Sequence, residues 1–182
     1  ETIINDFKII YELPINHISA YSLTIEEGTK FFNISNTKID DEELSQEIFN
    51  YLENNGFKQY EISNFSTDEN AQSKHNKGYW NHDEYLGIGA GAVGYKNKAR
   101  YYPNKNIEDY ILNPLNSEKE ILNSEDIRVE KVLLGLRSII GIDLNILLEN
   151  ELQRVKELVD EKKIIIKNNR AYGSDFLLAD AL

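Results

Sequence analysis

One short segment combines residue types that could bind a metalloporphyrin. His75 is followed by two large aromatic side chains, Tyr79 and Trp80. An imidazole can ligate haem iron, and aromatic rings can pack on the face of the macrocycle. The same residues also fit a histidine that satisfies buried backbone groups in an irregular loop, with Trp80 filling the core. The spacing alone leaves both interpretations open.

A second segment matches the glycine pattern of dinucleotide-binding sites. Gly89, Gly91 and Gly94 stand in the order G-x-G-x-x-G. A dinucleotide site needs an apolar strand before the first glycine and a helix beginning at the last, so that the phosphates meet the helix N-terminus. Residues 81–85 and 95–98, which flank the pattern, fit neither element. We therefore expect these glycines to let the backbone approach another backbone segment or a ligand closely.

Other polar residues give weaker signals. His17 falls within a predicted strand, where packing is the more common role, and His82 stands alone. Polar residues near the ends of two predicted strands could line a ligand mouth in a barrel, or could cap helices and solvate loops. These residues are Thr24, Glu26, Glu27, Glu61, Ser63 and Asn64. The sequence has no serine–histidine–acid spacing, no phosphate-binding loop and no histidine pair at metal-ligand spacing.

Composition narrows the possible functions. The chain has 182 residues, a formal net charge of −11, no cysteine and no methionine. The negative charge argues against a general binder of nucleic acid or anionic membranes, because both need a cationic surface. Without cysteine, this chain alone cannot supply thiolates to zinc or to an iron–sulfur cluster. No apolar run approaches the ~20 residues of a membrane span, so we expect a soluble, cytoplasmic protein.

The first third of the chain predicts alternating helices and strands. Apolar residues at helical spacing predict one helix that ends near Tyr11 and another over residues 44–52, capped by Gly56. Residues 15–23 and 57–62 are strand candidates. The order helix–strand–helix–strand with short connections is typical of a parallel sheet with crossover helices, so we expect both strands in such a sheet.

The middle of the chain changes character. Residues 63–102 are rich in small, polar and aromatic residues, and a long segment with few regular elements is often functional. Residues 107–112 predict a short helix, and residues 116–123 predict a linker. We therefore place one domain at residues 1–122 and a second at residues 123–182.

The second domain is predicted to be small and mainly helical. Residues 129–140 and 152–159 predict helices, and two short strands flank a tight turn at residues 168–169. With a final helix, this order resembles a winged-helix unit. Its basic residues are interleaved with acidic ones, so no positive stripe develops and a packing or lid role is favoured over nucleic-acid binding.

Five motifs occur in an order that resembles one family, the radical-SAM proteins that include haem chaperones and oxygen-independent coproporphyrinogen III oxidases. The resemblance covers most of residues 1–145 and is weaker afterwards. Each motif alone is modest, but five in order are specific. The motifs are HISAYSLTIEEGT (17–29), YEISNFS (60–66), SKHNKGYW (73–80), EYLGIGAGAVGY (84–95) and LLGLRSIIGIDL (133–144).

The resemblance implies an α/β chain that forms the C-terminal half of such a protein. That half contains the last β/α units of a partial TIM-like (β/α)6 barrel and a small, helical, winged-helix-like domain. Family members hold a [4Fe–4S] cluster and S-adenosylmethionine, with the cluster on a C-x-x-x-C-x-x-C motif that this chain lacks. By motif alignment, Thr24 and Val93 would lie near S-adenosylmethionine. The sequence departs from the family where Val93-Gly94 replaces His-Ser and at residues 172–174.

The segment from His75 to Trp80 is similar to the H-N-x-x-Y-W signature of the chaperone branch. In that branch the signature is linked to haem binding, and the true oxidases lack it. The resemblance therefore implies that haem is the ligand and that His75 is the candidate iron ligand. Asn76, Tyr79 and Trp80 would complete the haem-binding segment.

Three functions follow as hypotheses. We favour the C-terminal portion of a cytoplasmic radical-SAM haem chaperone, which binds haem and passes it to acceptor proteins. The alternatives are an oxidase that decarboxylates coproporphyrinogen and a non-catalytic folding or interaction module. In each case this chain, which begins at Glu1 and has no methionine, is expected to be part of a longer protein and not catalytic alone. We expect the cofactors in the full-length protein and none bound to this chain alone. An opened barrel leaves strand edges unpaired, so a dimer through those edges is a further expectation.

Overall fold

The computed structural model describes residues 2–23, 25, 27–32 and 42–181. Contacts within the chain divide it into two compact units, residues 1–72 and residues 73–182. The domain boundary that the sequence places between residues 122 and 123 stays a prediction.

In its described part, the first unit combines two helices with a three-stranded sheet. Its elements are α1 (Thr2–Ile10), β1 (His17–Ser19), α2 (Glu42–Asn54), β2 (Lys58–Gln59), β3 (Asn64–Ser66) and a 3₁₀ turn (Glu69–Ala71). One buried cluster joins the helices to the sheet, formed by Phe7, Ile18, Leu52, Phe57 and Phe65. Both predicted helices are confirmed. Gly56 follows α2 with φ of 90°, as expected for a left-handed helix cap.

The strand pairing of this unit differs from the predicted parallel sheet. Among the described strands, β3 lies between β1 and β2 and runs antiparallel to both. The chain reverses after Gln59 instead of continuing as a strand to Ile62. Two hydrogen bonds close this turn: the Tyr60 N–H donates to the Asn64 carbonyl at 3.1 Å, and the Gln59 side chain donates to the Ile62 carbonyl at 2.9 Å. Both predicted strands do lie in one sheet, and they run in the same direction because each is antiparallel to β3. The expectation of a parallel sheet was wrong in the pairing, since β3 lies between them and pairs antiparallel with both.

The described part of the second unit contains four α-helices and two three-stranded antiparallel sheets, ordered β4-β5-β6 and β7-β9-β8. Two 3₁₀ turns, at Leu144–Ile146 and Phe176–Ala181, complete the unit. None of the helices in the described ranges is long and apolar enough to cross a membrane. The elements are α3 (Lys74–Trp80), β4 (Gly94–Lys96), β5 (Ala99–Pro103), α4 (Ile107–Leu112), β6 (Ser117–Ile121), α5 (Ser124–Leu136), β7 (Ile142–Asp143), α6 (Glu149–Asp160), β8 (Ile164–Lys167) and β9 (Arg170–Gly173).

One strand occupies the position of the predicted linker. β6 pairs antiparallel with β5 over its whole length, from Ser117 opposite Pro103 to Ile121 opposite Ala99. Apart from Ser117, every residue of β6 is exposed, so its sequence SEKEI lacks the apolar alternation by which a strand is recognised. The linker prediction was wrong at these positions.

Helix α5 covers the first part of the predicted helix and ends earlier. Asn123 caps its N-terminus in a capping box. The helix ends at Leu136 and does not reach Ile140. Beyond its end, the Ser138 hydroxyl donates to the Leu134 carbonyl at 3.2 Å and accepts the Ile140 N–H at 3.3 Å. This side chain therefore satisfies backbone groups that would otherwise continue the helix.

The C-terminal hairpin is confirmed. β8 and β9 pair around Asn168 and Asn169, whose φ angles of 50° and 60° are typical of a type I′ turn. Helices α5 and α6 share a core with this sheet, formed by Leu136, Ile142, Val155, Leu158, Ile164 and Ala171. The winged-helix description of this region stays a prediction.

Candidate functional site

The predicted haem-ligand segment is a short, capped helix. α3 begins after Ser73, whose hydroxyl oxygen accepts the Asn76 N–H at 3.2 Å. His75 lies in the first turn, and Tyr79 lies one turn further along the same face. The two rings meet edge to face, with centroids 4.6 Å apart and an interplanar angle of 89°. Both side chains are exposed. The helix therefore presents an imidazole and a phenol ring together at the surface.

The three histidines differ in whether their rings already have a partner. The His17 Nε2 lies 2.8 Å from the Tyr60 hydroxyl. The His82 Nε2 lies 2.7 Å from a carboxylate oxygen of Glu130. Within the part of the chain that the structure describes, no protein group hydrogen-bonds to the ring of His75. His75 is thus the histidine whose ring nitrogens can reach an added ligand.

Two further tyrosines pack behind the exposed rings of His75 and Tyr79. Tyr79 contacts Tyr85 with ring centroids 4.5 Å apart, and Tyr85 lies 6.3 Å from the ring of Tyr95. The backbones of Tyr85 and Tyr95 exchange two hydrogen bonds of 2.8 and 2.9 Å. Burial raises the pKa of the Tyr85 hydroxyl, and the neighbouring Tyr79 raises it further. Tyr85 is therefore a neutral, partly buried support for the exposed rings at ordinary pH.

A network of charged residues adjoins Tyr95, whose ring contacts the His82 imidazole. One carboxylate, that of Glu130 in α5, accepts hydrogen bonds from His82 on one oxygen and from Arg100 in β5 on the other. Arg100 also reaches Glu120 in β6 at 3.4 Å, and the Tyr102 hydroxyl donates to Glu120 at 2.6 Å. Partial burial opposes the charge of Arg100, but hydrogen bonds and attraction to Glu130 raise its pKa overall. Sequence reasoning missed this network, because its members are far apart in the chain and fit no motif.

The glycine-rich segment brings two stretches of backbone into contact. A Cβ atom on Gly87 would lie 2.0 Å from the carbonyl oxygen of Ala92, and one on Gly94 would lie 2.9 Å from the nitrogen of Gly87. Strand β4 begins at Gly94, so the helix that a dinucleotide site needs is replaced by a strand. Among the three glycines of the pattern, the expected close approach to another backbone segment is confirmed only at Gly94. An added Cβ on Gly89 would meet nothing within 4 Å, and one on Gly91 would lie 3.4 Å from the Lys105 side chain. Gly87 lies outside the pattern and was not predicted.

The remaining predicted ligand residues are only partly placed. Asn76 and Trp80 lie on the same helix as His75 and are half-buried. Val93 is half-buried in the irregular segment directly before β4. Thr24 and Glu26 lie outside the described residues. The roles of Val93 and Thr24 near S-adenosylmethionine stay predictions.

The polar residues near the end of the second predicted strand form hydrogen bonds within the protein. Glu61 is 3% exposed and Asn64 is 1% exposed. The Asn64 side-chain oxygen accepts the Ser19 hydroxyl at 2.5 Å, and a Glu61 carboxylate oxygen accepts the Ser63 N–H at 3.2 Å. These contacts explain why polar side chains are buried between short strands. Glu27, by contrast, is exposed.

Comparison with known proteins identifies relatives of the chain. No protein-family model matches the sequence. A heme chaperone HemW from Lactococcus lactis is 31% identical over 195 residues, covering 96% of this chain and 51% of the relative. HemW from Bacillus subtilis is 34% identical, covering 71% of this chain and 37% of the relative. A mitochondrial radical S-adenosyl methionine domain-containing protein 1 from Danio rerio is 41% identical over 43% of this chain and 19% of the relative. The chain belongs to the radical-SAM haem chaperone and coproporphyrinogen oxidase-like family.

The fold agrees with this family. The structure of coproporphyrinogen III oxidase (HemN) from Escherichia coli, a radical SAM enzyme, matches with a TM-score of 0.71 at 14% sequence identity. The match covers 98% of this chain and 49% of the oxidase chain. The chain is therefore a mixed α/β protein with a fold similar to that enzyme. It spans about half the length of the curated relatives it matches.

The radical-SAM family implies an iron–sulfur cluster, and the donor set of this chain does not fit one. The sequence contains no cysteine, so the thiolates of a [4Fe–4S] cluster are not among its residues. Across the described residues, no group of three or more histidine, aspartate or glutamate side chains is arranged to hold a metal ion. Haem makes a smaller demand on the protein, since its porphyrin supplies four nitrogens and one imidazole can complete an axial position.

Proposed function

We propose that this chain is the haem-binding part of a cytoplasmic radical-SAM haem chaperone and that His75 is the axial ligand of haem iron. The observation that carries the proposal is the state of the His75 ring. It is exposed, it lies on a capped helix and, within the described chain, no protein group hydrogen-bonds to it. The rings of His17 and His82 are already engaged by Tyr60 and Glu130.

The surroundings of His75 suit a flat aromatic ligand. A neutral imidazole donates a nitrogen lone pair to the iron, and the macrocycle then needs apolar or aromatic surface beside it. Tyr79 offers such a surface, because its ring touches His75 and the residue is 38% exposed. In this proposal Asn76 and Trp80, on the same helix, shape the approach to the iron.

The exposure of the His75 side chain also suits a protein that transfers haem to another protein. A haem held by one surface imidazole can be reached by a competing ligand of an acceptor protein without opening a core. In this proposal the acceptor replaces His75 at the iron, and α3 keeps its fold because its caps do not involve the imidazole. The cluster and S-adenosylmethionine would be held mainly by other parts of the complete protein, with Val93 and Thr24 contributing to the nucleoside site.

A hemin titration of the complete protein tests the proposal. We expect hemin to bind with a shifted Soret band, and His75→Ala to weaken binding by about 100-fold, since it removes the ligand itself. His17→Ala is the matched control, because this histidine is engaged with Tyr60 and should leave hemin binding unchanged.

Equal hemin affinity in the wild-type protein and in His75→Ala would refute the assignment. A complete protein that converts coproporphyrinogen to a decarboxylated product, and that binds no hemin, would support the oxidase hypothesis instead. A protein that does neither would support the non-catalytic interaction module.

A further inference from the structure

The turn after α3 contains a histidine at a position where helices favour glycine. The Asp83 N–H donates to the Gly78 carbonyl at 2.9 Å, and the His82 N–H donates to the Tyr79 carbonyl at 3.0 Å. This pair of bonds closes the C-terminus of α3 and holds His82 in the left-handed region, with φ of 60°. A Cβ atom is unfavourable in that conformation. The side chain must therefore contribute elsewhere for histidine to be favourable here.

The imidazole of His82 contacts residues of two other elements, α5 and β4. Its side chain is only 6% exposed, and its Nε2 lies 2.7 Å from Glu130 in α5. The second oxygen of the same carboxylate accepts a hydrogen bond from Arg100 in β5. The imidazole also meets the Tyr95 ring in β4 edge to face, with centroids 4.6 Å apart. These contacts tie the end of α3 to both the neighbouring helix and the sheet.

Two routes connect this anchor to His75. The first is α3 itself, which runs from Lys74 to Trp80 and lies against α5. The second is a row of rings, in which Tyr95 contacts Tyr85, Tyr85 contacts Tyr79, and Tyr79 contacts His75. A displacement of the turn would therefore move both the helix and the ring that support the His75 imidazole.

We infer that His82 is a positioning residue: its bond to Glu130 holds α3 against α5 and thereby fixes the direction of the His75 imidazole. The effect on haem rests on the proposed function, whereas the anchoring of α3 does not depend on it. His82 takes no part in binding iron, because its ring is buried and already engaged.

The chain supplies a matched control for a substitution at this position. Helix α6 ends in the same pair of bonds, with the Lys163 N–H donating to Leu158 at 2.8 Å and the Lys162 N–H to Val159 at 2.9 Å. Lys162 has φ of 61°, close to that of His82, and it is exposed. Lys162→Gly therefore relieves the same backbone conformation without breaking a buried contact.

The experiment compares His82→Gly, His82→Gln and Lys162→Gly in this chain. Trp80 is the only tryptophan in the sequence and the last residue of α3, so its fluorescence reports on this helix. We expect His82→Gly to raise the acrylamide quenching constant of Trp80 by about twofold, because the local structure opens more readily. His82→Gln keeps an amide donor within similar reach of Glu130 and should restore the wild-type value. Lys162→Gly should leave quenching unchanged.

Hemin titration of the complete protein carrying the same substitutions gives the second measurement. We expect His82→Gly to weaken hemin binding by about tenfold, as is typical when a residue that orients a ligand is lost, and His82→Gln to recover it. If His82→Gly does not fold, as judged by circular dichroism, Glu130→Gln replaces it. That variant keeps the side-chain volume, removes the charge and should give the same two losses.

The inference is overturned if His82→Gly matches Lys162→Gly in both quenching and hemin affinity. It is also overturned if His82→Gln fails to restore either quantity. Should the wild-type complete protein bind no hemin, the proposed function fails, and the quenching comparison alone then decides whether His82 anchors α3.

Discussion

Replacing Gly87 by alanine tests whether the glycine-rich segment is needed for backbone packing. The added Cβ would lie 2.0 Å from the carbonyl oxygen of Ala92, 2.6 Å from its carbonyl carbon and 2.5 Å from the carbonyl carbon of Val93. An ordinary contact requires about 3.5 Å, so one backbone segment would have to move by more than 1 Å. No side-chain rotation can relieve the contact, because all three atoms belong to the main chain.

We expect Gly87→Ala to lower the free energy of unfolding by about 3 kcal/mol, the upper end for overpacking of a well-packed site. The assay is urea unfolding followed by circular dichroism, with Trp80 fluorescence as a second probe. Gly78→Ala is the control, because its Cβ would make only an ordinary contact, 3.7 Å from Asp83. Gly78 lies within α3, so alanine there should stabilise the protein by about 0.5–1 kcal/mol. A loss below about 1 kcal/mol for Gly87→Ala would refute the claim that the two backbone segments are in contact.

Two further predictions concern stability. Leu52→Ala should lower the free energy of unfolding by about 3 kcal/mol, because Leu52 is 0% exposed in the core of the first unit; Leu44→Ala, on the same helix but 40% exposed, should cost much less. Hydrogen bonds from Tyr102 and Arg100 lower the pKa of Glu120 below 4.5, so the folded state binds fewer protons there than the unfolded state. This stabilisation is present above pH 4.5 and is lost as the pH falls through the lowered pKa. In thermal melts from about pH 7 to about pH 3, the melting temperature of Glu120→Gln should therefore fall less with decreasing pH than that of the wild-type protein. The same pH dependence in both proteins would contradict the hydrogen bonds from Tyr102 and Arg100 to Glu120.

Features with local causes could be predicted from the sequence. Helices α1, α2, α4 and α6 follow from apolar residues at helical spacing, as does the part of α5 from residue 129 to Leu136. Helix α3 was not predicted, because it lies in the segment 63–102 for which few regular elements were expected. The final hairpin follows from Asn168 and Asn169, which tolerate the left-handed conformation that its turn requires. His75 could also be identified as a candidate ligand from a local pattern, since the histidine and Tyr79 lie one turn apart on the same helix.

Features that depend on residues far apart in the chain could not be predicted from the sequence. β6 is a strand because β5 lies beside it, and its charged, exposed residues show no alternation. β3 is only three residues long, and its Asn64 is buried because Ser19 donates to it across the sheet. The pairing of Glu130 with His82 joins residues on different elements, which no spacing rule connects. For this reason no sequence pattern indicated a role for His82.

The central claim is that the His75 imidazole binds haem iron, and the spectrum of the ferric complex tests it most directly. The complete protein should shift the Soret band of added hemin, and His75→Ala should lose that shift. Free imidazole added to the variant should restore the wild-type Soret position, because it replaces the missing ligand. A variant whose Soret band and hemin affinity equal those of the wild-type protein would contradict the claim.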